Sequence, residues 1–146
     1  MKFDHIGVVV GSIASGRLTL QNIMAVKAWT REVKDYENGV AIQFGRCESG
    51  VIYELLEPLG EHSPVQMALS DRRALLNHLA YLVPDLAGAG AKLRSQGCVP
   101  TAAPRRAIAY GGKSIQFFLT PLYFLVELIE APDHKHSFDW DEWDVY

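Results

Sequence analysis

The sequence predicts an α+β fold made of two βαβββ modules in pseudo-twofold arrangement, forming a curved mixed sheet around a central cleft. Three observations carry this expectation. Shifting the 146-residue chain by 73 positions aligns it with itself without a gap. The same short runs of β-branched and aromatic residues then fall at the same place in each half. Helix-capping residues follow the first run of both halves. A constant offset across well separated segments points to a duplicated structural unit.

The elements follow in order. Asp4–Val10, DHIGVVV, falls on Asn77–Val83, NHLAYLV, and both read as buried strands. Ser12 and Asp85 supply N-cap chemistry for a helix in each half, with Ile13 matching Leu86 and Leu20 matching Leu93. The second helix is expected over about Leu86–Gln96, stopped by Gly97, while Gly16, Thr19 and Asn22 weaken the first. Each half then offers one short strand and two longer ones: Val40–Arg46 and Val51–Leu56 in the first, Ser114–Leu119 and Phe124–Ile129 in the second. Ile42–Phe44 falls on Ile115–Phe117 with the identical sequence IQF, and Gly39 falls on Gly112. The chain therefore reads as a single domain, 1–146, with internal modules 1–66 and 74–131. Pro58-Leu59-Gly60 and the polar stretch to Arg73 read as the linker between them. Residues 132–146 form an acidic, aromatic tail whose Phe138, Trp140, Trp143 and Tyr146 suit docking or a homodimer contact.

Bulk properties narrow the function. A net charge of -3 gives no electrostatic case for nucleic acid or an anionic membrane, and Arg72-Arg73 and Arg105-Arg106 are too short to change that. No stretch approaches the roughly 18 apolar residues of a membrane helix. The start, MKFDHIGVVV, lacks a signal-peptide pattern, and Cys47 and Cys98 show no metal-ligand spacing. A cytoplasmic protein with reduced thiols, acting on a small molecule, is expected.

Under the same offset His5 falls on His78 and Glu54 falls on Glu127. Each half thus contributes a histidine from its first strand and a glutamate from its last. A lone histidine opening a strand is ordinarily a satisfied polar residue, and a glutamate on a strand ordinarily marks a solvated face. Here Tyr53, Leu55, Val126 and Leu128 flank the glutamates closely, and a buried carboxylate needs a partner charge or a metal. The coincidence of all four positions makes His5, Glu54, His78 and Glu127 the candidate metal ligands. Two imidazoles and two carboxylates suit a divalent Co, Ni, Zn, Mn or Fe ion and leave positions for substrate oxygens. Glu57 and Glu130 also repeat, but they sit at strand ends where solvation is the default. His62, His134 and His136 lie in polar, loop-like contexts expected at the surface, and Gly111-Gly112-Lys113 reads as a turn.

These residues carry a family resemblance. Over about residues 3–131 the sequence resembles the vicinal-oxygen-chelate superfamily of glyoxalases, bleomycin-resistance proteins and dioxygenases. It is most similar to the methylmalonyl-CoA epimerase branch, whose ELLEPLG…SPI segment is matched by Glu54–Gly60 with Ser63-Pro64-Val65. NHLAYLVPDL and VELIE likewise resemble that branch's HHIAFEVDDI and IELVE. The resemblance implies the glyoxalase fold and places His5, Glu54, His78 and Glu127 on the family's metal-ligand positions. The sequence departs from the branch where its HPK is replaced by Thr120-Pro121-Leu122, and where the first histidine of HH is replaced by Asn77.

By resemblance, the chemistry is proton transfer at a carbon next to a carbonyl, with Glu127 as the base and Glu54 as the second choice. An epimerase also needs an acid on the opposite face, and Glu37 lies in the region that would supply it. Three activities are expected in order. The first is a metal-dependent isomerase or epimerase acting on an acyl-CoA or other thioester. The second is a glyoxalase I-type lactoylglutathione lyase, and the third is a metal-free small-molecule binding protein of the resistance type.

Overall fold

The computed structural model describes residues 1–139, so Trp140, Trp143 and Tyr146 of the expected tail lie outside the described residues. Among the described residues the chain forms ten strands, three α-helices and one 3-10 turn, a mixed α+β fold. Two compact units divide it. The first-half unit holds Gly7–Leu76 and the described residues from Lys135 onward, and the second-half unit holds Met1–Ile6 with Asn77–His134. Strand β1 (Lys2–Val9) contributes to both, so His5 belongs to the unit built on the second repeat.

In the first-half unit β1 leads into α1 (Ile13–Met24), then β2 (Val26–Trp29), β3 (Val33–Asp35), β4 (Val40–Cys47), β5 (Ile52–Pro58) and α2 (Gln66–Asp71). Ser12 caps α1, its hydroxyl accepting from the Ser15 amide at 3.2 Å. The helix forms despite Gly16 because that glycine is where it meets Val10 and Leu55: a Cβ there would stand 2.8 Å from a Val10 methyl. The linker expected between the modules contains α2, a single short helix with no buried residue.

The second-half unit repeats the pattern with β6 (Leu76–Leu82), α3 (Leu86–Ser95), β7 (Val99–Pro100), β8 (Arg105–Ala107), β9 (Lys113–Leu119) and β10 (Leu125–Ile129). Each half therefore has two short strands, not one, before its long hairpin. The hairpins share one register: Phe44 faces Glu54 and Gln43 faces Leu55, while Phe117 faces Glu127 and Gln116 faces Leu128. The loop bonds repeat as well, with Val10 N–H donating to Leu56 O and Val83 N–H to Ile129 O. Gln43 and Gln116, the glutamines of the two IQF runs, are buried and donate to the carbonyls of Thr30 and Ala102. The duplication is imperfect at the sheet edge: Val33 faces Ile42, whereas Arg105, not Arg106, faces Ile115.

Each unit has its own core on the helix-bearing face. Ile13, Leu20, Val26, Trp29, Ala41 and Leu55 pack together in one, and Val83, Leu86, Cys98, Phe118, Val126 and Leu128 in the other. The bulk is distributed differently. Trp29 and Val26 lie over Gly45, where a Cβ would stand 2.5 Å from the indole. The matching strand position in the other half is Phe118, fully buried, and there Gly90 of α3 makes the room. The large side chain is carried by β2 in one half, over a glycine of β4, and by β9 in the other, against a glycine of α3.

Candidate metal centre

The polar cluster of the second-half unit follows from strand register. β6 and β10 run parallel, with Leu125 beside His78 and Glu127 beside Ala80. Side chains alternate along a strand, so His78 and Glu127 point to one face, and Phe117, paired with Glu127, shares it. The other face carries the core residues Val126 and Leu128. His5 enters from β1. All three side chains are buried, His5 at 0%, His78 at 3% and Glu127 at 4% exposure.

The three converge. His5 Nε2 lies 3.1 Å from His78 Nε2, and Glu127 Oε1 lies 3.5 Å from each. The rings are edge-to-face at 5.3 Å, and Phe117 packs against His78 at 5.0 Å. The far nitrogen of each imidazole is engaged by an acceptor. His5 Nδ1 is 2.8 Å from Asp4 Oδ2, and His78 Nδ1 is 2.9 Å from Asn77 Oδ1. The Asp4 carboxylate can only accept, so a neutral His5 carries its proton on Nδ1; with the Asn77 amide oxygen as acceptor His78 does the same, and both Nε2 lone pairs then face Glu127. Glu127 Oε1 itself is buried and accepts no hydrogen bond.

Three electron-pair donors facing one another in a buried site repel, and an uncompensated buried carboxylate costs several kcal/mol. A divalent cation among them removes both penalties. The donor set, two imidazoles and a carboxylate with the far imidazole nitrogens tied back, therefore fits a metal. In the first-half unit Glu54 is buried, at 3% exposure, and holds on β5 the register position that Glu127 holds on β10.

Other expected positions are distributed as follows. Glu57 is half-buried at its strand end, and His62 and Glu37 are exposed. Glu130 is not merely solvated: its Oε2 accepts from the Leu86 amide at 2.8 Å and caps α3. That is the role expected of Asp85, which stands at the N-cap position but makes no side-chain cap bond. Arg105, Arg106 and Lys113 are exposed, and Gly111 and Gly112 form a turn with φ of 64° and 79°. His134 and His136 are partly buried, not surface residues: His134 packs on Tyr110 at 4.5 Å and His136 on Phe44 at 4.2 Å. Arg46 lies over Phe138, so Phe138, like His136, packs on β4 of the first-half unit. Cys47 and Cys98 are free thiols, and no helix among the described residues is long and apolar enough to cross a membrane.

Two residues beside the site were missed by sequence reasoning, Asp4 and Tyr110. Both are buried, and the Tyr110 hydroxyl donates to Asp4 Oδ2 at 2.7 Å. The available signal for Asp4 was the repeat itself, which aligns it with Asn77.

Comparison with known proteins agrees with this architecture. A sequence profile of the glyoxalase/bleomycin resistance protein/dioxygenase superfamily matches residues 4–117. The chain is 31% identical over 140 residues to the uncharacterised protein YqjC of Bacillus subtilis strain 168, covering 93% of this chain and 96% of that one. Among solved structures it is similar to the hypothetical protein BH1468 of Bacillus halodurans C-125, with a TM-score of 0.76 at 24% identity over 93% of this chain and 98% of that one. It is also similar to methylmalonyl-CoA epimerase from Mycobacterium tuberculosis, with a TM-score of 0.72 at 24% identity over 88% of this chain and 86% of that one. A Streptomyces coelicolor methylmalonyl-CoA epimerase in complex with 2-nitronate-propionyl-CoA gives 0.71 at 23% identity over 88% and 96%. At these identities the solved structures establish the glyoxalase fold.

Proposed function

The chain belongs to the glyoxalase/bleomycin resistance protein/dioxygenase superfamily, and from that premise we propose that it is a metal-dependent epimerase or isomerase moving a proton at a carbon next to a carbonyl. The observation that carries the proposal is the buried convergence of His5 Nε2, His78 Nε2 and the partnerless Glu127 Oε1. His5, His78 and Glu127 are assigned as metal ligands, with Glu54 as the fourth. The support for Glu54 is its burial and its equivalence to Glu127 in the repeat.

The cation, when bound, supplies positive charge that offsets the negative charge developing on the substrate's carbonyl oxygen. The protein's residues do the rest. His5 and His78 hold their Nε2 atoms fixed through bonds to Asp4 and Asn77. Glu127 would take the proton from the α-carbon through the carboxyl oxygen the cation leaves free, and epimerisation is completed when a second acid returns a proton to the opposite face. Phe117 and the burial of the cluster exclude water, so the electrostatic interactions inside act at full strength. The leading substrate class is a small acyl thioester, as in the methylmalonyl-CoA epimerases that share the fold.

A second reading, a lyase of the glyoxalase I type, is favoured by the turn between β9 and β10. Thr120-Pro121-Leu122 offers no cation for a phosphate-bearing carrier, and Leu122 and Tyr123 are 78% and 86% exposed. One experiment separates the two. Metal-loaded protein is incubated with methylmalonyl-CoA in deuterated water and label is followed at the α-carbon. Label entry that EDTA abolishes supports the epimerase. No entry, together with turnover of a hemithioacetal, assigns the lyase.

A further inference from the structure

The two histidines of the cluster are equivalent in the repeat, but their supports are not. His5 Nδ1 meets a carboxylate, Asp4 Oδ2, at 2.8 Å, whereas His78 Nδ1 meets a neutral amide oxygen, Asn77 Oδ1, at 2.9 Å. The difference lies in the sequence, because Asp4 and Asn77 are the same position of the duplicated unit. The carboxylate has a further partner, Tyr110. Tyr110, at the end of the 3-10 turn Ile108–Tyr110, is 4% exposed; it donates its hydroxyl to the same Asp4 Oδ2 at 2.7 Å. Its oxygen stands 3.1 Å from His5 Nδ1, and its ring stacks on the imidazole at 6.4 Å and 19°. The His5 Nδ1 proton thus lies between two oxygens, one anionic. His134 packs on Tyr110 with ring centroids 4.5 Å apart.

We propose that Asp4 and Tyr110 are positioning residues that lock His5 in its Nδ1–H tautomer and make it the stronger of the two imidazole donors to the metal. The physical reason is direct. A carboxylate bonded to the far N–H raises the electron density at Nε2, and a neutral amide does so less. A tyrosine hydroxyl holding the carboxylate prevents it from rotating away. Metal-supporting partners of this kind typically change affinity by about 10- to 100-fold. This inference rests on the metal reading above, although the tautomer it assigns exists without metal.

The test uses that separation. Long-range 1H–15N spectra of the metal-free full chain report the tautomer of each histidine, and cobalt(II) titration followed by visible absorption reports affinity and ligand field. In the wild type His5 is expected as Nδ1–H. Asp4→Ala should release it to a tautomer mixture while the fold, followed by circular dichroism, is retained. Asp4→Asn should weaken cobalt binding by about 10- to 100-fold and shift the absorption bands, Tyr110→Phe should weaken it by less, and Asn77→Asp should tighten it. His5 in an unchanged tautomer in Asp4→Ala and in Tyr110→Phe would overturn the proposal, as would unchanged cobalt affinity in Asp4→Asn. If the wild type binds no cobalt, the metal reading fails and the proposed donor strength with it, and the tautomer spectra alone then decide whether the pair locks His5. Should Asp4→Ala fail to fold, Asp4→Asn and Tyr110→Phe carry the same spectra.

Discussion

At the scale of residues, His5, His78 and Glu127 are buried together, each imidazole held at its far nitrogen by Asp4 or Asn77. Glu127 Oε1 lacks a hydrogen bond and faces two Nε2 atoms at 3.5 Å. In the metal-free chain this arrangement is a source of instability, so Glu127→Gln has an unusual expected signature. The amide can donate to an Nε2, so the metal-free variant should be at least as stable as the wild type in urea unfolding with EDTA, with a gain on the order of 1 kcal/mol. The same change should lower metal affinity strongly. A metal-free Glu127→Gln less stable than wild type would mean that Oε1 has a favourable role the geometry does not reveal. His78→Ala should likewise abolish metal uptake while the metal-free fold survives, as read by metal analysis and thermal melting. The four candidate ligands were legible in the sequence because the repeat doubled each one. Tyr110 was not, since it meets Asp4 across 106 positions and nothing in its own segment announces the contact.

At the scale of elements, the offset of 73 predicts both helices and both long hairpins, and the shared register of β4–β5 and β9–β10 is its structural counterpart. What the pattern could not supply are features set by local sterics or distant partners. α2 is a short helix with no buried face, so no apolar period marks it. The cap of α3 is Glu130, just past β10 and 44 positions away, not the adjacent Asp85. Replacing Glu130 with Ala should therefore cost about 1 kcal/mol, measured by urea unfolding, whereas Asp85→Ala should cost less. The seat of Trp29 on Gly45 gives a sharper test. A methyl on Gly45 would meet the Trp29 ring at 2.5 Å and Val26 at 2.7 Å, so Gly45→Ala should destabilise by about 1–3 kcal/mol. If Gly45→Ala is neutral, the tight packing of Trp29 on β4 is wrong.

At the scale of the whole molecule, a ligand that binds only the folded chain stabilises it by mass action. At a hundredfold excess over Kd that contribution is about 2.7 kcal/mol, so EDTA should lower the melting temperature of the metal-loaded protein and added metal should restore it. The magnitude should track affinity through the variants, vanishing in His5→Ala and in His78→Ala. The family and the fold rest on the whole chain, through the match over residues 4–117 and TM-scores of 0.76 and 0.72 to solved structures. The proposed activity rests on far fewer atoms, the Nε2 of two histidines and one glutamate oxygen. Metal stoichiometry by elemental mass spectrometry, on protein reconstituted with a divalent ion and freed of excess, tests that dependence most directly. The account predicts one ion per chain in the wild type and none in His5→Ala. A wild-type chain that retains no metal, or a His5→Ala variant that retains as much as the wild type, would contradict it.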